Sequence, residues 1–82
     1  MVEQVVSVIE SLESRPAALF VQTAGKFASD IKVKIGDKTV NAKSIMGIIS
    51  LGILDGQDIT ITAKGDDAQQ AVAELKNFLT SK

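Results

Sequence analysis

Ser44 is the residue of this chain best placed to do chemistry. It follows the polar run Asn41-Ala42-Lys43 and precedes the short apolar segment Ile45-Met46-Gly47. A serine at such a junction is a good N-cap, because its hydroxyl can accept a hydrogen bond from a free N–H of the first helical turn. A helix N-terminus also favours negative charge. The same hydroxyl is therefore well sited to carry a phosphate. Taken alone, an N-cap stabilising its helix by about 1 kcal/mol is the plainer reading. A second candidate region runs from Leu12 to Gln22, around Glu13-Ser14-Arg15-Pro16. Arg15 falls in the first turn of a helix, where the dipole does not favour a cation. Its presence there calls for a reason, such as gripping acidic groups.

The rest of the inventory is exclusionary. The chain has no histidine and no cysteine, so thiol or imidazole catalysis, a disulfide framework and a Cys- or His-based metal site are absent. The acidic residues are scattered through turns and strand edges. No metal or cofactor is expected. The net charge is −1, from nine basic and ten acidic residues. No basic stripe of the kind that neutralises phosphates is present. The three aromatics are all Phe, without the basic setting of a base-stacking platform. Direct nucleic-acid binding is not expected. The opening Met1-Val2-Glu3-Gln4 is unlike a signal peptide, and no apolar run approaches the ~18 residues of a spanning helix. The expectation is a soluble, cytoplasmic protein with no membrane partner and one domain over residues 1–82.

The elements that must hold these residues can be read from periodicity. Val2 to Ile9 is rich in β-branched residues and predicts a strand, with Val6 and Val8 facing one way and Val5 and Ile9 the other. Glu10 to Ser14 reads as a loop, with Ser14 as N-cap and Pro16 tolerated in the first turn. A helix follows to about Phe27, burying Phe20, Ala24 and Phe27. Ile31, Val33 and Ile35 alternate with lysines in a half-buried strand. Gly36-Asp37 is a hairpin signal, and Lys38 to Asn41 the returning strand. Ser44 starts a short helix through about Ser50. Leu51 to Asp55 is an apolar connection into the Asp55-Gly56 turn. Ile59, Ile61 and Ala63 mark a last strand, closed by Gly65. Asp66 with Gln69, and Asp67 with Gln70, fit a capping box. The final helix carries Ala68, Ala71, Val72, Leu75, Phe78 and Leu79 on one face. The order is β-α-β-β-α-β-α, an α+β domain with helices on one face of a mostly antiparallel sheet. Periodicity does not give the strand order.

Lys43-Ser44-Ile45-Met46-Gly47 resembles the regulatory serine region of HPr, the small phosphocarrier of the bacterial sugar phosphotransferase system. Leu12-Glu13-Ser14-Arg15-Pro16-Ala17 is similar to the HPr active-site motif, with Glu13 where the phosphocarrier histidine stands. The resemblance covers Val2 to about Leu79 and is closest to the catabolite-repression HPr-like members from bacilli (Crh), which keep the serine and lack the histidine. It implies an open-faced β-sandwich with a four-stranded antiparallel sheet in the order 1-4-2-3. It implies phosphorylation of Ser44 by an HPr kinase/phosphorylase, and then a corepressor role for a LacI-type catabolite control repressor. That repressor, not this chain, would touch the DNA. Ile45 and Met46, which on composition alone would be core residues, become an exposed docking patch, with Ile49 one turn on. Lys43 flanks the serine, and Arg15 keeps the duty of contacting partners. Glu13 has three readings: a drifting position, a charge that excludes the phosphotransferase enzyme I, or a weak mimic of phosphohistidine. Ser11 and Ser14 replace a glycine and an alanine usual in the motif.

Alternatives stay open at this point. One is a regulator that docks on a metabolic enzyme without phosphate; another is a degenerate phosphocarrier HPr. A different class is an acylphosphatase-like hydrolase using Arg15 and Asn41, although the glycine-rich loop around such an arginine is missing. The expectation is no enzymatic activity. Exchange of the first strand would give a strand-swapped homodimer, and the sequence does not decide between that and a monomer.

Overall fold

A computed structural model describes residues 1–9, 11–12, 15–54 and 56–80. The expected Ser14 cap, the Glu13 position and the Asp55 half of the Asp55-Gly56 turn lie outside the described residues. The elements are β1 (Val2–Ser7), α1 (Arg15–Gly25), β2 (Asp30–Ile35), β3 (Lys38–Asn41), α2 (Ile45–Leu51), β4 (Asp58–Lys64) and α3 (Ala68–Thr80). Four antiparallel strands form one sheet in the order β1-β4-β2-β3. The α+β class and the element order agree with the sequence pattern.

Alternation sets which face each strand buries. Val6, Ile31, Val33, Ile59, Ile61 and Ala63 point into the core, while Glu3, Val5, Lys34 and Lys64 stay in water. The helices close the inner face with Ala17, Phe20 and Ala24 from α1, Ile48 from α2, and Ala68, Ala71, Val72, Leu75 and Leu79 from α3. Phe20 meets Phe78 edge to face, with ring centroids 5.8 Å apart. Among the described residues no helix is long and apolar enough to cross a membrane.

Three boundaries differ from the periodic reading. β1 ends at Ser7 rather than Ile9, because its partner β4 begins at Asp58. Val8 stays buried and donates to the Gln57 carbonyl at 2.9 Å, and its own carbonyl accepts from Gly56 at 2.7 Å. α1 ends at Gly25 rather than near Phe27. Its tail tightens into three-residue turns, Lys26 N–H to Thr23 O and Phe27 N–H to Ala24 O. Phe27 packs partly buried against the core from outside the helix. α2 reaches Leu51, one residue beyond Ser50.

The capping-box reading of Asp67 is corrected. Its carboxylate accepts from the Ala28 N–H at 2.8 Å, the Ser29 N–H at 3.0 Å and the Ser29 hydroxyl. The start of α3 thus fastens the α1–β2 connection. Ser29 is buried, and Gly65 lies against it. A Cβ at Gly65 would sit 2.8 Å from the Ser29 Cα, and the backbone there has φ +152°. Only glycine fits both the conformation and the approach.

The Ser29 hydroxyl first, then the Ala28 N–H, holds the Asp67 carboxyl below its ordinary pKa of 3.8. A folded-state pKa below the unfolded one stabilises the fold above the unfolded value. That contribution is lost as pH falls through the folded-state value. Acid unfolding followed by circular dichroism should therefore show the parent losing stability below about pH 4. Asp67→Asn should be less stable at neutral pH and show a flatter acid limb. An acid limb unchanged by Asp67→Asn would refute this account.

Candidate functional site

The turn before α2 is built from local hydrogen bonds. Ala42 is fully buried and donates to Ile31 O at 2.9 Å, which anchors the end of β3. The Asn41 side-chain oxygen accepts from the Lys43 N–H at 2.9 Å, an Asx turn. The Asn41 carbonyl accepts from the Ser44 N–H at 3.1 Å. Ser44 then adopts the extended conformation of an N-cap (φ −109°, ψ 113°), and its Oγ accepts from the Gly47 N–H at 3.2 Å. The Ile48 N–H closes the first helical bond onto Ser44 O at 3.0 Å. At the far end Gly52 takes the left-handed conformation (φ 64°) and donates to Ile49 O. Both ends of this seven-residue helix are therefore capped.

Gly47 lets α2 lie close to β3. A Cβ there would meet the Val40 Cβ at 3.1 Å and the Ser44 Oγ at 3.4 Å. A side chain at position 47 would crowd the serine hydroxyl from below.

Ile48 is the one fully buried residue of α2. Leu51 packs partly buried against the core at the end of the helix, and the other three large apolar residues are left facing water. Met46 is 77% exposed, Ile49 46% and Ile45 40%. The docking-patch reading of Ile45, Met46 and Ile49 requires this exposure. Lys43 is half-buried, and its ammonium donates to the Phe27 carbonyl at 2.7 Å. Two of its three donors remain for another acceptor. Arg15 opens α1 and is exposed. α1 packs against both α2 and α3.

The hydrolase alternative needs a positioned asparagine amide. Here the Asn41 oxygen already holds the Lys43 N–H in the turn. Two exposed apolar residues were not singled out by sequence reasoning. Leu54, 57% exposed, follows the buried Ile53 in the connection after α2, and Leu19 is exposed on α1 beside buried Phe20. The signal for Leu19 was available, since it falls outside the Ala17, Phe20, Ala24 face. For Leu54 none was, because an irregular connection has no period.

A family model described as the PTS HPr component phosphorylation site matches residues 2–81. The chain belongs to the HPr family. It is 46% identical over 81 residues to the HPr-like protein Crh of Bacillus subtilis, covering 96% of this chain and 95% of that one. The HPr fold is also found in the crystal structure of HPr-C-His from Thermoanaerobacter tengcongensis. That structure aligns with a TM-score of 0.95 at 47% identity, over 99% of this chain and 93% of the other. The crystal structure of selenomethionyl Crh from Bacillus subtilis, described as a dimer with a swapping domain, aligns with a TM-score of 0.79. Its identity is 46%, over 96% of this chain and 93% of the other.

Proposed function

We propose that this HPr-family chain is a non-catalytic regulatory module of carbon catabolite repression, switched by phosphorylation of Ser44. An HPr kinase/phosphorylase would deliver the phosphate. The Ser44 hydroxyl oxygen attacks the γ-phosphorus of ATP, gives up its proton, and ADP leaves. The phosphoserine would then act as corepressor for a LacI-type catabolite control repressor, which makes the DNA contacts. The observation that carries this reading is the pairing of a capped serine with an exposed apolar patch on the same short helix, in a chain without histidine. The name and description of the Bacillus subtilis relative, a catabolite-repression protein, support it.

Phosphorylation adds about −1.5 to −2 charges and three acceptor oxygens. At Ser44 that charge meets the N-terminal end of α2, so no refolding is needed to accommodate it. The product is an anionic group beside Ile45, Met46 and Ile49, with Lys43 next to it and Arg15 on the neighbouring helix. A partner grips the phosphate through Arg or Lys and buries the apolar residues. To act as corepressor, the modified protein must bind the repressor's DNA-binding state more tightly than the other. Glu13 stands in place of the phosphocarrier histidine, so carriage through histidine is lost. In this reading the protein works in the cytoplasm, as a monomer or a strand-swapped homodimer.

The same patch supports a second reading, phosphate-independent docking on a metabolic enzyme, because its exposure does not depend on phosphate. Intact mass after incubation with a Bacillus-type HPr kinase and ATP separates the two. The expected result is one phosphoryl group on the parent and none on Ser44→Ala, with circular dichroism confirming that the variant folds. No gain on the parent, with a control HPr modified in the same tube, would sink the switch for that kinase and favour phosphate-independent docking.

A further inference from the structure

A groove of about 550 Å³ runs between α1 and α3, away from Ser44. That volume falls within the roughly 300–1,000 Å³ usual for small-molecule sites. Leu12 and Leu79, both buried, are among its lining residues, with Pro16, Leu19 and Phe78 adding apolar surface. Thr23 turns its hydroxyl back to the Leu19 carbonyl at 2.9 Å, which occupies its donor.

The charges in the groove are not balanced. Among the described residues two ionisable side chains line it, Arg15 and Glu74. Glu74 is already neutralised by Lys26, with its carboxylate 2.5 Å from the ammonium. Arg15 makes no ion pair among the described residues. It sits at the N-terminus of α1, whose dipole adds to its positive potential. The antiparallel packing of α1 and α3 sets Arg15 at one end of the groove and the Lys26–Glu74 pair near the other. An apolar trough whose end carries a cation without an ion-pair partner among the described residues matches a molecule with an apolar tail and one terminal anion.

The geometry points to a binding site for a small amphiphilic carboxylate in the α1–α3 groove, its carboxylate on Arg15 and its tail along Leu19 and Phe78. This site shares only Arg15 with the partner-binding surface proposed around Ser44 and does not depend on phosphorylation. Arg15 supplies a bidentate fork suited to a carboxylate.

The test is a titration of the unphosphorylated, isotope-labelled protein with decanoate, followed by backbone amide shifts. Saturable shifts are expected at Leu12, Arg15, Leu19, Thr23, Asn77 and Phe78. Decylammonium, with the same tail and the opposite charge, should bind about fivefold more weakly, and Arg15→Gln should weaken decanoate by about threefold, the scale of an exposed ion pair. The ammonium comparison uses the parent protein, so it stands whatever the variant does to folding. Shifts centred on Ile45, Met46 and Ile49 instead would overturn the proposal. So would equal affinity for the two probes, or no saturable response below the concentration at which decanoate forms micelles.

Discussion

Met46→Gln should leave the fold at its parent stability and weaken the proposed complex between the Ser44-phosphorylated protein and a catabolite control repressor by about thirtyfold. The two halves of this result have different causes. Met46 is 77% exposed and its side chain takes no part in the Ser44 cap, so replacing it changes stability by only about 0.5 kcal/mol. Met and Gln have similar helix propensity, and neither carries charge that would alter the phosphate's surroundings. In the proposed complex the partner covers this side chain. Burying a methionine is worth about 1.5–3 kcal/mol, and a glutamine in its place loses that gain and must desolvate an amide. A net loss of about 2 kcal/mol corresponds to the thirtyfold weakening. Thermal unfolding reads the first half and calorimetric titration of the phosphorylated protein the second. Unchanged affinity would move the contact away from α2, and Leu54 or Leu19 would then be the residues to test.

Phe20→Ala should cost about 3–5 kcal/mol of folding stability, the usual range for emptying a buried phenylalanine site. Phe20 is fully buried on α1 and meets the Phe78 ring edge to face. It therefore links α1 to α3, two of the three helices over the sheet, as well as filling the core. A chain of 82 residues has a total stability of about 4–12 kcal/mol at the usual 0.05–0.15 kcal/mol per residue. The substitution removes a large part of that. Urea unfolding should show a midpoint far below the parent's with a similar slope. A loss under about 1.5 kcal/mol would mean that Phe78, only partly buried, swings in to fill the space.

The elements were legible because each depends on neighbours in sequence. Alternation at Ile31, Val33 and Ile35, and at Ile59, Ile61 and Ala63, set both the strands and the faces they bury. Ser44 read as an N-cap because the bond it accepts comes from Gly47, three residues on. Glycine at position 36, with φ 57°, allowed the tight hairpin between β2 and β3. In each case the deciding interaction spans a few residues, and local chemistry is enough.

Other features depended on the chain folding back on itself. Asp67 fits a local capping box equally well, yet its carboxylate goes to Ala28 and Ser29, because the third dimension brings two N–H groups and a hydroxyl within reach together. Lys43 flanks the serine in sequence, and only the fold brings the Phe27 carbonyl to its ammonium. The residues alone left Ile45 and Met46 undecided between core and surface. The fold decided it: α2 turns Ile48 into the core and Leu51 partly against it, which leaves Ile45 and Met46 on the side in water.

By itself the sequence determined the seven elements, their buried faces and the serine that starts α2, all products of short-range periodicity and capping. Periodicity did not give the strand order; the family resemblance implied 1-4-2-3, and the sheet has it. Tertiary structure alone decided that Gly65 must pass against Ser29, and that α1 and α3 leave a groove with Arg15 at its end. The reason is physical. Strand pairing, close backbone approach and the gap between packed helices join residues tens of positions apart, and no local preference encodes such a pairing.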